Sequence, residues 1–491
     1  MANTKGKRRI AADRDVEDFL SKYLKELNEN NAAVFVGAGL SKAAGYADWP
    51  GLLDGVAQQL GLDSARESDL VRLAQFHINA NATNRHHLSQ LLIDEFSDLK
   101  EPTENHKILA RLPISTFWTT NYDRLIETAI EASGKRVDAK YTKKHLATTR
   151  RGRDAVVYKM HGDIEHPSEA VLSRDDYERY HQTHGPFVTA LSGDLVEKTF
   201  LFLGFSFTDP NLDLIMSRIR ATFATNQRQH YCIARRRSKM KGEKTADFQY
   251  ELTRQNLITQ DLMRFNIKTI FVDDYDQITG LLKTLEDRYR RKTVFISGSA
   301  ADYGSWGPDA TEQFVAALAR SIIDKDLRIT SGFGLGIGGA VVTGAVQQIY
   351  STPHRSVDEQ LVLRPFPIGI KNEVERSKTF TRYREELISQ SGIAIFIMGN
   401  KTVDGQVVTA DGMRSEFELA KTRGLYVVPI GASGSMAQEL WNEVMDDLDT
   451  FYPGASVEVK DALMKLGGPT NNPNSLISIV IDLFHKLISG V

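Results

Sequence analysis

The chain is poor in cysteine, has no long apolar run and carries almost no net charge. Its single cysteine, Cys232, excludes an intrachain disulfide and a zinc site built from four cysteines. The 61 Lys and Arg residues nearly balance the 63 Asp and Glu residues, so the whole chain has no bulk attraction for nucleic acid or for an acidic membrane. No stretch has the character of a secretory signal or a membrane-spanning helix. We therefore expect a cytoplasmic protein that binds neither a membrane nor nucleic acid and that uses no metal.

What is present is the composition of an ordinary folded protein. The 491 residues are 41% hydrophobic and 25% charged, and the length corresponds to about two to four domains. Residues 1–14 are polar and are predicted to form a flexible arm. Residues 15–30 then show apolar side chains at the spacing of a helix.

Short apolar strands that end in glycine or polar residues alternate with amphipathic helical stretches. The first such strand is AAVFV at 32–36, and the pattern restarts with KTVFISGSA at 292–300, after a charged helix. This alternation is typical of βα units around a mostly parallel sheet. We predict two α/β domains with mainly parallel sheets, at residues 15–288 and 289–491.

Polar clusters follow three of the strands in the first domain. They are GAGLS at 37–41, TTNYD at 119–123 and KMHGD at 159–163. Ligands bind at the carboxyl ends of parallel strands, and a glycine-rich turn at a helix start can hold a phosphate. The GAG turn alone is better explained by backbone geometry, and Lys42 breaks the dinucleotide fingerprint GxGxxG. The convergence of all three clusters is what indicates a site.

Together with Trp49 in DWPGLL and with GFSFTDPNL at 204–212, these motifs resemble the bacterial SIR2-like branch of the Sir2 family over residues 15–285. The resemblance implies a Rossmann-like fold that binds NAD, with Asn121 and His161 close to the nicotinamide ribose. The residues that it implies for NAD binding are Gly37, Ala38, Gly39, Ser41, Trp49, Thr119, Asp123, Ser206 and Asp209. For Asp209 a second role stays open, as the cap of the helix that Pro210 begins.

The chain departs from the Sir2 protein deacylases in one respect that bears on the reaction. Their zinc module is held by four cysteines and helps to form the cleft for an acyl-lysine peptide, whereas this chain has one cysteine. Hydrolysis of NAD+ as the substrate is then the simplest remaining reaction, and it needs no general acid because nicotinamide leaves as a neutral molecule. The resemblance implies that Asn121 holds the ribose hydroxyls or the water and that His161 acts as the base.

The second domain contains two glycine-rich turns after strands, at 297–299 and 331–339. Two such turns indicate a nucleotide with more than one phosphate, whereas close helix packing explains single glycines but not this density. Residues 290–491 resemble the SLOG family, which is related to the LOG-type nucleotide phosphoribohydrolases. Of their motif P-G-G-x-G-T-x-x-E, residues 409–416 keep Gly412 and Glu416, with Arg384 upstream. The resemblance therefore implies a pocket that binds a nucleotide rather than hydrolyses it.

The combination of the two domains resembles the NAD-hydrolysing effectors of the Thoeris antiphage system. It implies that a partner TIR-domain protein makes a cyclic ADP-ribose isomer, that the second domain binds this signal, and that NAD+ is then hydrolysed in antiviral defence. It also implies a homotetramer. The residues that it implies for the signal are Ser297, Gly298, Ser299, Gly332, Gly334, Gly336, Arg384, Lys401 and Glu416.

Three other functions stay open from the sequence. The first is a Sir2-type deacylase or ADP-ribosyltransferase that acts on proteins, which the shortage of cysteine disfavours. The second is nucleotide hydrolysis by the second domain, with the first domain as its regulator. The third is a nucleotide-sensing module without enzyme activity, against which the intact Asn121 and His161 argue.

Overall fold

A computed structural model describes residues 2–489 except 65, 68, 208, 224, 225 and 368, and only the backbone of 2–12, 223 and 489. The chain forms two compact units, Met1–Glu286 and Asp287–Val491. The division falls inside one helix, close to the predicted domain boundary. Among the described helices, none combines the length and the hydrophobicity that crossing a bilayer requires.

The first unit is built on a seven-stranded sheet. Its strands are β1 (Ala32–Val36), β2 (Thr116–Thr119), β3 (Val137–Lys140), β4 (Ala155–Lys159), β5 (Thr199–Leu203), β6 (His230–Arg235) and β7 (Ile267–Val272). They pair in parallel in the order β3-β4-β2-β1-β5-β6-β7. The central strands are buried on both faces, which explains why they are nearly continuous apolar runs. Strand order reverses at β1, and such a switch point opens a crevice at the carboxyl ends of the strands.

The helices of the first unit cover both faces of this sheet and fill the long connection between β1 and β2. They are α1 (Ala2–Asn28), α2 (Ala38–Lys42), α3 (Trp49–Leu52), α4 (Asp54–Gln59), α5 (Leu70–Ala80), α6 (His86–Phe96), α7 (Glu104–Arg111), α8 (Leu125–Ala132), α9 (Lys143–Leu146), α10 (Arg174–Glu178), α11 (Tyr180–Glu197), α12 (Pro210–Phe223), α13 (Thr245–Met263) and α14 (Asp276–Arg290). Buried side chains of α4, α5 and α6 form a small core of their own, separate from the core above the sheet.

Helix α1 packs on the sheet through its second half. Phe19 and Tyr23 are fully buried, and the Tyr23 hydroxyl donates to the Ala33 carbonyl at 2.8 Å. Lys268 of β7 pairs with Asp18 at 3.1 Å. Residues 2–14, predicted as a flexible arm, belong to the first half of this helix, and their mobility stays a prediction.

The second unit has a five-stranded parallel sheet and a separate hairpin. Its strands are β8 (Thr293–Ser299), β9 (Arg328–Ser331), β10 (Leu361–Leu363), β11 (Ile393–Met398), β12 (Asn400–Val403), β13 (Gln406–Thr409) and β14 (Tyr426–Pro429). The sheet order is β10-β9-β8-β11-β14, while β12 and β13 form the antiparallel hairpin. The two sheets confirm the predicted fold class, two Rossmann-like α/β domains with mainly parallel strands.

Helices flank the second sheet and bury a core that includes Phe314, Ile395 and Phe417. They are α15 (Gly307–Asp324), α16 (Gly338–Ser351), α17 (Val357–Gln360), α18 (Glu373–Ser389), α19 (Asp411–Thr422), α20 (Ser435–Asp446), α21 (Leu448–Phe451), α22 (Val457–Lys465) and α23 (Ser475–Ser489). Helix α16 follows the second glycine-rich turn, and α19 begins directly after the hairpin.

Candidate active site

The loops that follow β4, β2, β1 and β5 meet at the carboxyl edge of the first sheet, because these strands are consecutive neighbours in that order. Asn121 and His161 lie at the same level of this edge. Thr119 of β2 pairs with Lys159 of β4, and each of the two site residues lies two positions beyond its paired residue. Both side chains are buried, with 9% of Asn121 and 2% of His161 exposed.

Hydrogen bonds hold the Asn121 side chain in a fixed orientation. Its Nδ2 donates to Ser41 Oγ at 2.8 Å, and Ser41 Oγ donates to Asp123 Oδ2 at 2.6 Å. The Asn121 backbone N–H donates to Thr119 Oγ1 at 2.9 Å. The structure therefore brings together four of the predicted residues, from the loops after β1 and β2, in one network.

His161 faces Asp209, which follows β5. The distance between His161 Nε2 and Asp209 Oδ2 is 3.1 Å, and the hydroxyl of Tyr177 donates to the same oxygen at 3.1 Å. Neither ring nitrogen of His161 has an aligned hydrogen bond among the described residues, so the contact with Asp209 is electrostatic. Nδ1 is thus buried and has no polar partner within that part of the chain.

The charge of Asp209 is maintained despite its burial. Burial acts to raise the pKa of this carboxyl, but the adjacent imidazole of His161, together with the hydroxyl of Tyr177 and the backbone N–H of Leu212, lowers it below the usual value. Burial raises the pKa of Tyr177 well above its usual value, so this phenol stays a donor. Nearby, burial and the charge of His161 lower the pKa of His184 to about 4.

Lys159 is a structural residue of this region that the sequence did not single out beyond its place in KMHGD. Its side chain is fully buried, and its Nζ lies 3.2 Å from Glu127 and in direct contact with Asp163. It also donates to the carbonyls of Tyr122, at 3.1 Å, and of Asp123. One buried cation therefore ties the loop that carries Asn121 to the loop that carries His161.

The glycines of the GAG turn are required by close packing. A Cβ on Gly37 would lie 2.5 Å from the Gly204 carbonyl oxygen, and one on Gly39 would lie 2.9 Å from the Gly204 Cα. Their N–H groups donate to the carbonyls of Leu203 and Gly204, each at 2.9 Å. Helix α2 has five residues. Pyrophosphate binding by this turn stays a prediction, and the bonded N–H groups of the two glycines do not contribute to it in this arrangement.

The remaining residues predicted for NAD binding lie around the same edge. Ala38 is half-buried at the start of α2, and Ser206 is exposed in the turn after β5. Trp49 begins α3 and packs partly against the small core of the helical connection. The first oxygen of Asp209 caps α12, accepting from the N–H groups of Asn211 at 2.9 Å and Leu212 at 3.0 Å.

The second unit brings Ser297, Arg384 and Glu416 together at the carboxyl edge of its sheet. Ser297 Oγ donates to Glu416 Oε2 at 2.6 Å, and Arg384 Nε lies 3.6 Å from Glu416 Oε1. Burial raises the pKa of Glu416, while the Ser297 hydroxyl and the Arg384 charge oppose this rise. The guanidinium of Arg384 lies over the rings of Phe366, at 5.3 Å, and Phe380, at 5.8 Å.

Residues 297–299, predicted as a turn, form the end of β8, and the glycine-rich turn at 331–339 packs against them. A Cβ on Gly334 would lie 1.9 Å from the Gly298 carbonyl oxygen, and one on Gly336, where φ is +73°, would lie 2.4 Å from the Ala300 carbonyl oxygen. A Cβ on Gly332 would meet the Phe366 ring at 2.8 Å. Close packing therefore accounts for these glycines better than the sequence suggested. Their role in binding a signal stays a prediction.

Lys401 and Ser299 lie at the edge of this cluster. Lys401, in the hairpin, pairs with Asp411 at the start of α19 at 2.8 Å, and both side chains are exposed. The Ser299 carbonyl accepts from the Gly399 N–H at 2.9 Å. The hydrogen bond from Lys401 lowers the pKa of Asp411 below its usual value, and the charge of Arg384 makes a smaller contribution in the same direction.

The residues that the structure describes contain no group of three or more His, Cys, Asp or Glu side chains arranged to hold a metal ion. The polar groups of the two clusters are hydroxyl, amide, imidazole, carboxylate and guanidinium, which suit hydrogen bonds to ribose and phosphate.

Comparison with known protein families assigns both units. Residues 115–258 match the SIR2-like domain, and residues 277–487 match the Sir2- and TIR-associating SLOG family. The first match contains Asn121, His161 and Asp209, and the second contains Ser297, Arg384 and Glu416.

Full-length relatives agree with this assignment. The chain is 50% identical over 475 residues to "NAD(+) hydrolase ThsA" of Bacillus cereus (strain MSX-D12), which covers 97% of this chain and 99% of the relative. It is 48% identical to the protein of the same name from Acinetobacter baumannii (strain 532279), over 96% of this chain and 98% of that one. "Defense-associated sirtuin 2" of Bacillus subtilis is 25% identical over 43% of this chain and 21% of its own length. The chain therefore belongs to the ThsA family of NAD(+) hydrolases, with a SIR2-like and a SLOG domain.

Proposed function

We propose that the first unit hydrolyses NAD+ to ADP-ribose and nicotinamide between the loops that carry Asn121 and His161. The observation that carries the proposal is the placement of these two buried side chains at the same level of neighbouring strands. An amide held by Ser41 and an imidazole with a free Nδ1 among the described residues are the groups that such a reaction requires. The names of the full-length relatives support the same reaction.

The chemistry follows from the cationic leaving group. The bond between C1′ of the ribose and the pyridinium nitrogen breaks, both electrons go to nitrogen, and nicotinamide leaves neutral. The ribose then carries an oxocarbenium-like charge, which a water molecule attacks at C1′. In this proposal the Asn121 amide orients the ribose hydroxyls or the water, and His161 takes the proton that the water loses. The products are ADP-ribose, nicotinamide and one proton.

The second unit is proposed to control this reaction by binding a cyclic ADP-ribose isomer. Ser297, Arg384 and Glu416 form a buried polar cluster that offers a bidentate cation for phosphate and acceptors for ribose hydroxyls. Binding there changes the hydrolysis rate only if the ligand prefers one of two arrangements of the protein. The match to the Sir2- and TIR-associating SLOG family supports a role in binding a signal.

The wider setting is also part of the proposal. A TIR-domain partner would make the signal during infection, and a cytoplasmic homotetramer of this chain would then deplete NAD+ in Thoeris antiphage defence. A tetramer supplies subunit contacts that can differ between a resting and an active arrangement.

The test is nicotinamide release by the purified full-length chain, incubated with NAD+ and a panel of cyclic ADP-ribose isomers. One isomer is expected to raise the rate, and Asn121→Ala and His161→Ala are expected to lower the activated rate at least 100-fold, within the usual range for loss of acid–base or positioning groups. Melting temperatures near that of the parent would show that both variants fold.

Two controls separate this reaction from its alternatives. Nicotinamide release that depends on an added acylated peptide would favour a protein deacylase instead. Asn81→Ala removes an amide from the exposed end of α5 and is expected to leave hydrolysis unchanged. Parent-like hydrolysis by Asn121→Ala would contradict the site assignment.

A further inference from the structure

Asp209 and His161 come from different loops and face each other at the carboxyl edge of the first sheet. Asp209 Oδ2 lies 3.1 Å from His161 Nε2, and the exposed fractions of the two side chains are 7% and 2%. The other oxygen of Asp209 is bonded to the N–H groups of Asn211 and Leu212. The carboxylate is therefore held in place by the helix that it caps, while its second oxygen faces the imidazole.

Two further elements pack against the imidazole. Tyr177 of α10 has its ring centre 5.5 Å from that of His161 and donates its hydroxyl to Asp209 Oδ2. Tyr180 of α11 lies at 6.2 Å and donates its hydroxyl to the Met160 carbonyl at 2.8 Å. Burial raises the pKa of both phenols well above their usual value, so neither supplies a negative charge near neutral pH.

The other ionisable groups near His161 have partners of their own. His184 of α11 is stacked on Tyr180 at 4.8 Å, and its pKa of about 4 keeps it neutral near pH 7. Lys159 and Asp163, on the same loop as His161, pair with each other. Within the described part of the chain, Asp209 is thus the carboxylate at ion-pair distance from this imidazole.

We propose that Asp209 is a positioning residue for NAD+ hydrolysis, which fixes the His161 ring through Nε2 so that Nδ1 accepts the proton. The inference rests on the proposed function, because it assigns a partner to the base named there. When the O–H bond of the attacking water breaks, its proton moves to Nδ1 and the ring becomes positive. The carboxylate stabilises that charge and takes no proton itself, as in other imidazole–carboxylate pairs. This role differs from the NAD binding that the resemblance implies for Asp209.

Asp209→Asn separates the electrostatic role from the structural one. Asn and Asp are equally good helix caps, so the amide oxygen can keep both bonds to the start of α12, while the negative charge is lost. A carboxylate beside an imidazole favours the protonated ring. We therefore expect the melting temperature to stay near that of the parent, and the acid limb of log(kcat/KM) against pH to move about one unit lower. We also expect kcat at neutral pH to fall about tenfold or more.

Tyr177→Phe is a second variant, for which we expect the acid limb of the pH profile to move in the opposite direction. It removes the hydroxyl that donates to Asp209 Oδ2 but keeps the ring beside the imidazole. The carboxylate then interacts more strongly with His161, and the acid limb is expected to move by some tenths of a unit to higher pH. A purely structural role of Asp209 predicts no such pair of opposite shifts.

The measurements use the full-length chain at saturating activator from the panel above. Asp213→Asn is the matched control, because Asp213 is exposed in the first turn of the same helix. If Asp209→Asn keeps the parent pH profile and kcat, or changes only KM, the inference is wrong. His161→Ala in the same assay distinguishes failure of this inference from failure of the proposed function. Parent-like activity of His161→Ala would contradict the proposed function itself, whereas its inactivity beside an unaltered Asp209→Asn profile would contradict only the role of Asp209.

Discussion

The ammonium group of Lys159 lies 3.2 Å from the carboxylate of Glu127, and neither side chain reaches the surface of the first unit. Asp163 contacts the same ammonium group, so one buried cation is shared by two carboxyls. Burial acts against the charge on Lys159, but the two carboxylates outweigh it and raise the pKa of this lysine. Burial raises the pKa of Glu127, whereas Asp163 accepts a hydrogen bond from the ammonium group.

Lys159→Met is expected to destabilise the first unit by about 3 to 5 kcal/mol, because it leaves a buried carboxylate without its cation. Urea unfolding followed by circular dichroism measures this free energy. The double variant Lys159→Met/Glu127→Gln is expected to recover part of the loss, since one of the two unpaired acids is then removed. A loss below about 1 kcal/mol in the single variant would mean that the buried charge is not held as described.

Ser41→Ala is expected to slow nicotinamide release about tenfold or more, because the Asn121 amide loses the acceptor that orients it. The same change leaves Asp123 Oδ2 without its donor, which costs about 1 to 3 kcal/mol of stability. Initial rates and thermal unfolding of the same preparation measure the two effects. Ser192→Ala, which removes a half-buried hydroxyl of α11, is the control and is expected to keep the parent rate. A Ser41→Ala enzyme with parent kinetics would show that the network does not orient Asn121.

Arg384→Lys is expected to weaken binding of the activating cyclic ADP-ribose isomer at least about tenfold. A lysine keeps the charge but loses the planar group that lies over Phe366 and Phe380 and that can bind phosphate through two hydrogen bonds. Isothermal titration calorimetry of the full-length chain measures the affinity. Arg382→Lys changes an arginine of the same helix that is 82% exposed, and it is expected to bind as the parent does. Equal affinities of the two variants would place the signal elsewhere.

Stability is expected to fall as the pH decreases from about 6.5 to about 4. Burial lowers the pKa of His230 to about 4, and its Nδ1 accepts the Phe200 N–H at 3.1 Å, so the folded state keeps this ring neutral. Unfolded chains bind the proton already below about pH 6.5, so the stability is complete above that value and is lost on acidification. His230 alone accounts for about 3 kcal/mol of this loss.

Unfolding free energies across this pH range, for the parent and for His230→Gln, measure the contribution. The glutamine oxygen can accept the Phe200 N–H but does not titrate, so the variant is expected to show the shallower slope. Identical slopes would mean that His230 is protonated in the folded state as readily as in the unfolded one. His485→Gln, at an exposed position of α23, is the control for general effects of the substitution.

Most strands of both sheets could be predicted from the sequence, because buried parallel strands are short apolar runs that end in glycine or polar residues. The sequences of β3 and β10 do not show this pattern, so these two strands could not be predicted from it. The sequence of β3, VDAK, is half polar, and β10 has three residues. The sequence analysis did not predict the hairpin of β12 and β13. Its turn residues, Asp404 and Gly405, adopt the positive φ angles, 51° and 79°, that an Asp-Gly hairpin turn typically has.

The residues of the candidate sites could likewise be predicted only in part. The motifs located Asn121 and His161 because each follows a strand. Ser297 lies within β8 and Glu416 within α19, and the glycine-rich pattern and the family motif identified them. Contacts between distant segments were not visible in these motifs. The pairing of Asp209 with His161 joins residues 48 positions apart, from 161 to 209. The burial of Lys159, at the end of β4, depends on Glu127 of α8. The spacing of apolar residues along a helix or strand indicates which of its faces is buried. It does not indicate which side chains from distant segments contact each other there.

Because Asn121 and His161 are carried by adjacent strands, the backbone hydrogen bonds between β2 and β4 set the spacing of the pair. A change elsewhere in the protein can then alter whether NAD+ enters or how its ribose is seated, while the amide and the imidazole keep their separation. We therefore expect the regulation proposed above to act on admission of the substrate rather than on assembly of the reactive groups.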